Sequence, residues 1–76
     1  MNYQIVEEKI RNNEPFKHGN SMKAVVEGEE YRIYSYTTLI YSEEIKTGKL
    51  LYWDGSYFSH TTRKQQNLIK NNKRID

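Results

Sequence analysis

The chain has 76 residues, no cysteine, two histidines and a formal net charge of +2. That length holds one domain, residues 1–76, around one small core, and the composition excludes a disulfide framework. His18 and His60 are too few for a structural zinc set, so no metal or other cofactor is expected.

No apolar run nears the ~20 residues that cross a bilayer, and Met1-Asn2-Tyr3-Gln4 lacks signal-peptide character. A soluble, cytoplasmic protein with no membrane partner is the expectation. A core this size rarely supplies more than ~3 to 5 kcal/mol, which makes a homodimer one route to added stability. Charge is sorted along the chain: residues 1–30 are net −2, residues 31–59 neutral and residues 60–76 net +4. Six of the seven tyrosines, the only tryptophan and one phenylalanine fall between Tyr31 and Phe58, immediately before the basic tail.

In chain order, Asn2 is placed to cap a first helix over about Tyr3 to Asn13, with Tyr3, Val6 and Ile10 on one face. Pro15 ends it, and Lys17-His18-Gly19-Asn20 reads as loop. From Ser21 the period becomes two: Met22, Ala24 and Val26 alternate with Lys23, Val25 and Glu27, and Gly28 supplies a turn. Tyr31 to Tyr36 and Thr37 to Ser42 have strand chemistry, divided by a bend or bulge near Thr37. Thr47-Gly48-Lys49 is a turn, Leu50 to Trp53 a strand, Asp54-Gly55 a hairpin turn and Ser56 to Ser59 the closing strand.

Thr62-Arg63-Lys64-Gln65 fits a capping box, predicting a second helix from Thr62 to about Asn72 and a frayed tail over 71–76. Its apolar face, Leu68 and Ile69, is thin, so light docking is expected. The fold class predicted is α+β: an N-terminal helix, a four- or five-stranded antiparallel meander and a C-terminal basic helix.

Three stretches, Phe16-Lys17-His18-Gly19-Asn20-Ser21, Tyr31 to Thr38 and Tyr57 to Asn67, resemble a group of small phage-encoded proteins. That group has a Gly-Asn-Ser loop, a Tyr-Ser-Tyr-x-Thr strand and a Tyr-Ser-x-Thr-Thr segment opening a final helix. The group often has His-Gln where Gln65-Gln66 stands here. The resemblance implies a mobile-element origin and a small β-rich fold with a terminal helix; it assigns no activity and no site residues.

Ser59-His60-Thr61-Thr62-Arg63-Lys64 is the sharpest local signal. Two cations in a first helical turn oppose the helix dipole, and a bound phosphate or carboxylate would compensate. The plainer reading, preferred on this sequence, is that both side chains extend into water. Arg63, Asn67, Lys70 and Arg74 recur at helical spacing as a cationic stripe, either a solvated face or a track for an acidic or phosphate-bearing partner. The interior is expected to come from Ile33, Leu39 or Ile40, Leu51, Trp53 and Phe58. That leaves Tyr34, Tyr36, Tyr41 and Tyr57 as candidates for an exposed binding face, with His60, Thr61, Thr62, Arg63, Lys64, Lys70 and Arg74 beside them.

No residue constellation suggests catalysis. Asp54 suits its turn, and Glu27, Glu29 and Glu30 suit an exposed hairpin. The expected function is therefore a non-catalytic phage accessory protein that occupies a host or defence protein, such as a nuclease complex, in the host cytoplasm. The alternative is a small nucleic-acid binder using the tyrosine-rich sheet and the basic helix.

Overall fold

The structure is a computed structural model in which residues 2–75 are described. It is α+β: helix α1 (Tyr3–Arg11), strands β1 (Phe16–His18), β2 (Met22–Glu27), β3 (Glu30–Ser35), β4 (Thr38–Glu44) and β5 (Leu50–Trp53), then helix α2 (His60–Lys73). The strands form one antiparallel sheet in the order β1-β2-β3-β4-β5. No helix among the described residues is long and apolar enough to cross a membrane.

Asn2 caps α1 as its sequence position predicts, the side-chain Oδ1 accepting from the Ile5 N–H at 3.0 Å. The helix ends two residues earlier than Asn13, which takes a left-handed φ of 56°. Val6 and Ile10 are fully buried and Tyr3 is half-buried. In the β2–β3 hairpin Glu27 pairs with Glu30, so only Gly28 and Glu29 turn the chain; Gly28 has φ +59°, which a residue with a Cβ adopts at a cost.

The meander begins earlier and stops earlier than the sequence pattern predicts. Phe16, Lys17 and His18 form β1 instead of a loop, because Phe16 reaches the core and its strand pairs in register with Ala24. Ser56 to Ser59 form no strand. Asp54-Gly55 opens no hairpin: the Asp54 Oδ1 accepts from the Ser56 N–H at 3.0 Å, a local side-chain turn that competes with strand continuation.

Both helices cover the same face of the sheet, as three contacts show. The Tyr31 hydroxyl donates to the Glu14 carbonyl just beyond α1 at 2.8 Å, Ser35 and Thr62 share a hydroxyl hydrogen bond at 2.9 Å, and Lys73 meets Glu43 at 2.6 Å. Ser35, Ile33, Tyr31 and the register partner Glu43 lie on one side of β3 and β4. Helix α2 therefore runs antiparallel to β3. The eleven steps from Thr62 to Lys73, about 16 Å of helix, match the roughly 14 Å from Ser35 to Tyr31.

A register shift between Ile33 and Tyr34 leaves Ile40 as an extra residue between partners Leu39 and Tyr41. This bulge explains why the consecutive residues Ile40 and Tyr41 are both buried. Of the expected interior set, Ile33 and Ile40 are buried, Leu39 is half-buried, and Trp53 packs on the core edge-on to Tyr41 with centroids 6.4 Å apart. Leu51 and Phe58 are exposed instead, and the aromatic bulk they were to supply comes from Tyr31 and Tyr41. Val26 also faces the helix side but lies beyond their cover and is exposed.

Candidate binding surface

Helix α2 starts two residues before the predicted capping box. Ser59 is the N-cap, its hydroxyl accepting from the Thr62 N–H at 3.2 Å, which leaves the Thr62 hydroxyl to bond Ser35. Gln65 does not close a box; its Nε2 donates to the Ser21 carbonyl at 2.9 Å. The buried stripe is Thr62, Gln65, Gln66 and Ile69, so α2 docks firmly through a mostly polar face and not lightly through Leu68 and Ile69. At the expected tail the helix runs to Lys73, Asn72 bonds Arg11 and Glu7 of α1, and Arg74 caps the end in the left-handed conformation. Asp76, the end of the expected tail, lies outside the described residues.

Two of the candidate contact residues are inside. Tyr41 is 3% exposed, its hydroxyl donating to the Glu43 Oε1 at 2.8 Å, and Thr62 is 4% exposed. The bulge at Ile40 turned Tyr41 inward, and the earlier cap turned Thr62 towards the sheet. Neither can meet a partner on this surface. The other candidates are accessible: Tyr36 and Tyr57 at 53% and 59%, His60, Thr61, Lys64, Lys70 and Arg74 exposed, Tyr34 and Arg63 half-buried. Lys70 and Arg74 belong to the outer stripe of α2 with Asn67, away from the aromatic end.

At one end of the molecule the β3–β4 turn meets the segment entering α2. Tyr36 sits in that turn with φ +55°, a conformation costly for an aromatic residue, and its N–H donates to the Ser21 carbonyl at 2.9 Å. Its ring lines two shallow clefts. The first, about 180 Å³, has Tyr36 and Phe58 among its walls and is completed by Ile40, Ser35, Thr38, Ser59 and Thr62, the hydroxyls of Ser35 and Thr62 being engaged with each other. The second, about 140 Å³, carries Lys17 and Lys23.

Tyr57 and Phe58 are held out by their own backbone. The buried Gln66 donates from Nε2 to the carbonyls of Asp54 and Ser56 at 2.8 and 2.9 Å, pinning the segment that presents them. Hydrogen bonds from Ser56 also keep the Asp54 carboxyl below the usual carboxylate range. With the helix starting at His60, Arg63 closes the first turn and Lys64 opens the second, and the two go to different rings: the Arg63 guanidinium lies 5.6 Å from the Tyr57 centroid and the Lys64 Nζ 4.9 Å from that of Tyr3. Ring faces thus offset the unfavourable dipole, and nothing draws Arg63 and Lys64 together onto one anion.

The surface that results is a cleft walled by Tyr36 and Phe58, with Tyr57, next to Phe58 in the chain, exposed and carrying the Arg63 guanidinium against its ring. Its chemistry suits apolar and hydrogen-bonding contact. Phe58 is the member that sequence reasoning misses, since an apolar strand-like run gave no sign that Gln66 would hold it outward. Comparison with protein-family models, curated proteins and solved structures finds no match for this chain.

Proposed function

We propose that this protein is a non-catalytic binding module that occupies a macromolecular partner with the rim formed by Tyr36, Tyr57, Phe58 and Arg63. The observation that carries this reading is the Tyr36 ring, kept half-exposed on a strained backbone between two clefts. Strain of about 1 to 2 kcal/mol in an exposed aromatic brings the isolated fold nothing, whereas Tyr and Arg are the side chains that dominate protein interfaces. The partner class proposed is a protein. That it is a host or defence protein, inhibited in the host cytoplasm, rests on the resemblance to small phage-encoded proteins.

Affinity capture from host lysate tests this reading, run with and without nuclease treatment and with Tyr36→Ala, Tyr57→Ala and Phe58→Ala variants. A captured protein that survives nuclease and is lost with at least one of these, a ΔΔG of about 2 kcal/mol or more, supports the proposal. A partner retained equally by all three variants overturns it.

Nucleic-acid binding is the second reading, favoured by Lys17 and Lys23, which face each other across β1 and β2 beside the Tyr36 ring. It requires binding to generic oligonucleotides that weakens with salt, with a log–log slope of about −0.7 to −0.9 per phosphate contact.

A further inference from the structure

Lys17 and Lys23 stand directly opposite each other on β1 and β2, and both line the second cleft beside Tyr36. Cross-strand partners hold their Cβ atoms about 5 Å apart, so like charges placed there weaken the sheet. Their row continues through Tyr34 and Leu39, and neither lysine makes a salt bridge among the described residues. Along the two strands the next acids are Glu14, 3.9 Å from Lys9, and Glu27, which bonds Arg32 at 2.5 Å. Glu27 stands four residues from Lys23, about 13 Å of strand, beyond the roughly 8 Å screening length of physiological salt. The Tyr34 ring, 5.2 Å from the Lys23 ammonium, answers one of the two charges, and among the described residues no ring is placed under Lys17.

We propose that the Lys17–Lys23 cleft takes an acidic side chain of the protein partner while the Tyr36–Phe58 cleft takes an apolar one, an inference that rests on the binding function proposed for Tyr36. Tyr36 lines both clefts, so one aromatic residue separates the two subsites. Over two residues an extended peptide advances about 6.6 Å with both side chains on one side, enough to pass a ring. The segment recognised is therefore an acid and an apolar residue with one position between them.

A carboxylate between the two ammonium groups removes a repulsion that the free protein carries, and the cleft, about 140 Å³, has room for one such side chain. A phosphate backbone is the poorer occupant, because it gains affinity from a track of several cations. Here Arg63 and Lys64 lie against the rings of Tyr57 and Tyr3, while Lys70 and Arg74 belong to the outer stripe of α2. Two exposed ion pairs strengthen binding about threefold to tenfold, which suits one anchoring acid within a larger contact.

Amide chemical shifts of the isotope-labelled full chain, titrated with acetyl-Asp-Ser-Leu-amide and with acetyl-Asn-Ser-Leu-amide, test the proposal. The aspartyl peptide is expected to shift residues of both clefts with Kd of about 1 mM, and the asparaginyl peptide to bind about threefold to tenfold more weakly at about 50 mM salt. Raising salt to about 500 mM should narrow that gap. Lys17→Gln/Lys23→Gln should abolish it, and since both residues are exposed and repel each other the fold is retained. Equal affinity for the two peptides overturns the proposal, and if Tyr36 and Phe58 still shift, the binding function proposed for them stands. Binding left unaltered by Tyr36→Ala overturns that function and this inference with it. No shift with either peptide up to about 10 mM also overturns the inference. So does an oligothymidylate of about ten nucleotides that binds at least about tenfold more tightly than the aspartyl peptide at about 150 mM salt and is lost in the double lysine variant, since the pair would then serve nucleic acid.

Discussion

Lys73 Nζ lies 2.6 Å from Glu43 Oε1 with the two side chains only 11% and 5% exposed, so the last turn of α2 is tied to the sheet by a nearly dry ion pair. Around it the Tyr41 hydroxyl donates to Glu43, Lys73 donates to Asn13 just past α1, and the ammonium stands 5.5 Å from the Tyr31 ring. The two helices and the two central strands converge on this network.

Removing one partner of a buried pair leaves the other charge uncompensated, at a cost of about 3 to 5 kcal/mol. Lys73→Met is therefore expected to bring a domain of this size close to global unfolding at room temperature. The double variant Lys73→Met/Glu43→Gln should recover most of the loss, because no buried charge remains. Urea denaturation followed by circular dichroism measures both. A single variant no less stable than the double would show that water, not Lys73, solvates Glu43.

Burial, reinforced by the Glu43 carboxylate, raises both the Tyr31 and the Tyr41 phenol well above their ordinary value of 10.0. These groups contribute stability that is fully present below pH 10 and is lost as pH climbs from there towards the folded-state values, since the unfolded chain then releases protons the folded chain retains. Each should cost about 1.4 kcal/mol per pH unit in that window, close to 2.7 for the two together. Denaturation midpoints measured from pH 8 upwards should be flat and then fall. Tyr41→Phe should roughly halve the slope; an unchanged slope contradicts its assignment.

Tyr36→Gly separates strain from function. Glycine accepts φ +55° freely, so the variant should be as stable as the parent or more stable by up to about 1 kcal/mol, while partner binding weakens by about 2 kcal/mol or more. Thermal melts and a binding titration read the two effects independently. A marked loss of stability would mean that the ring packs the fold rather than serving the surface.

Gln66→Ala frees the Asp54 and Ser56 carbonyls and leaves a cavity under the segment that carries Tyr57 and Phe58. The expected cost is about 2 to 3 kcal/mol. Amide exchange of residues 55–59 should accelerate more than exchange in β2 and β3. Uniform acceleration across the sheet would mean that the glutamine supports the whole core and not this segment in particular.

The features legible in the sequence are those set by neighbours within a few positions. Asn2 caps α1 because its side chain needs only the third N–H ahead of it. Met22 and Ala24 face inward because a strand alternates, and Gly28 turns because it tolerates positive φ. The α+β class, the two helices and an antiparallel meander followed from such local terms.

Tertiary structure decided which side of those elements is inside. One extra residue, Ile40, breaks the alternation of β4, so Tyr41 goes into the core while a count by twos would expose it. Thr62 and Gln65 read as the two ends of a capping box, whereas Ser35, Ser21 and the Asp54–Ser56 carbonyls, 10 to 44 residues away, take up the Thr62 hydroxyl and the Nε2 groups of Gln65 and Gln66; the two Oε1 atoms have no partner among the described residues. Glu43 and Lys73 likewise look like ordinary surface charges, and they are buried only because each removes the cost of burying the other. Polar groups enter a core when distant partners satisfy them, and the partners are brought there by the fold, not by spacing along the chain.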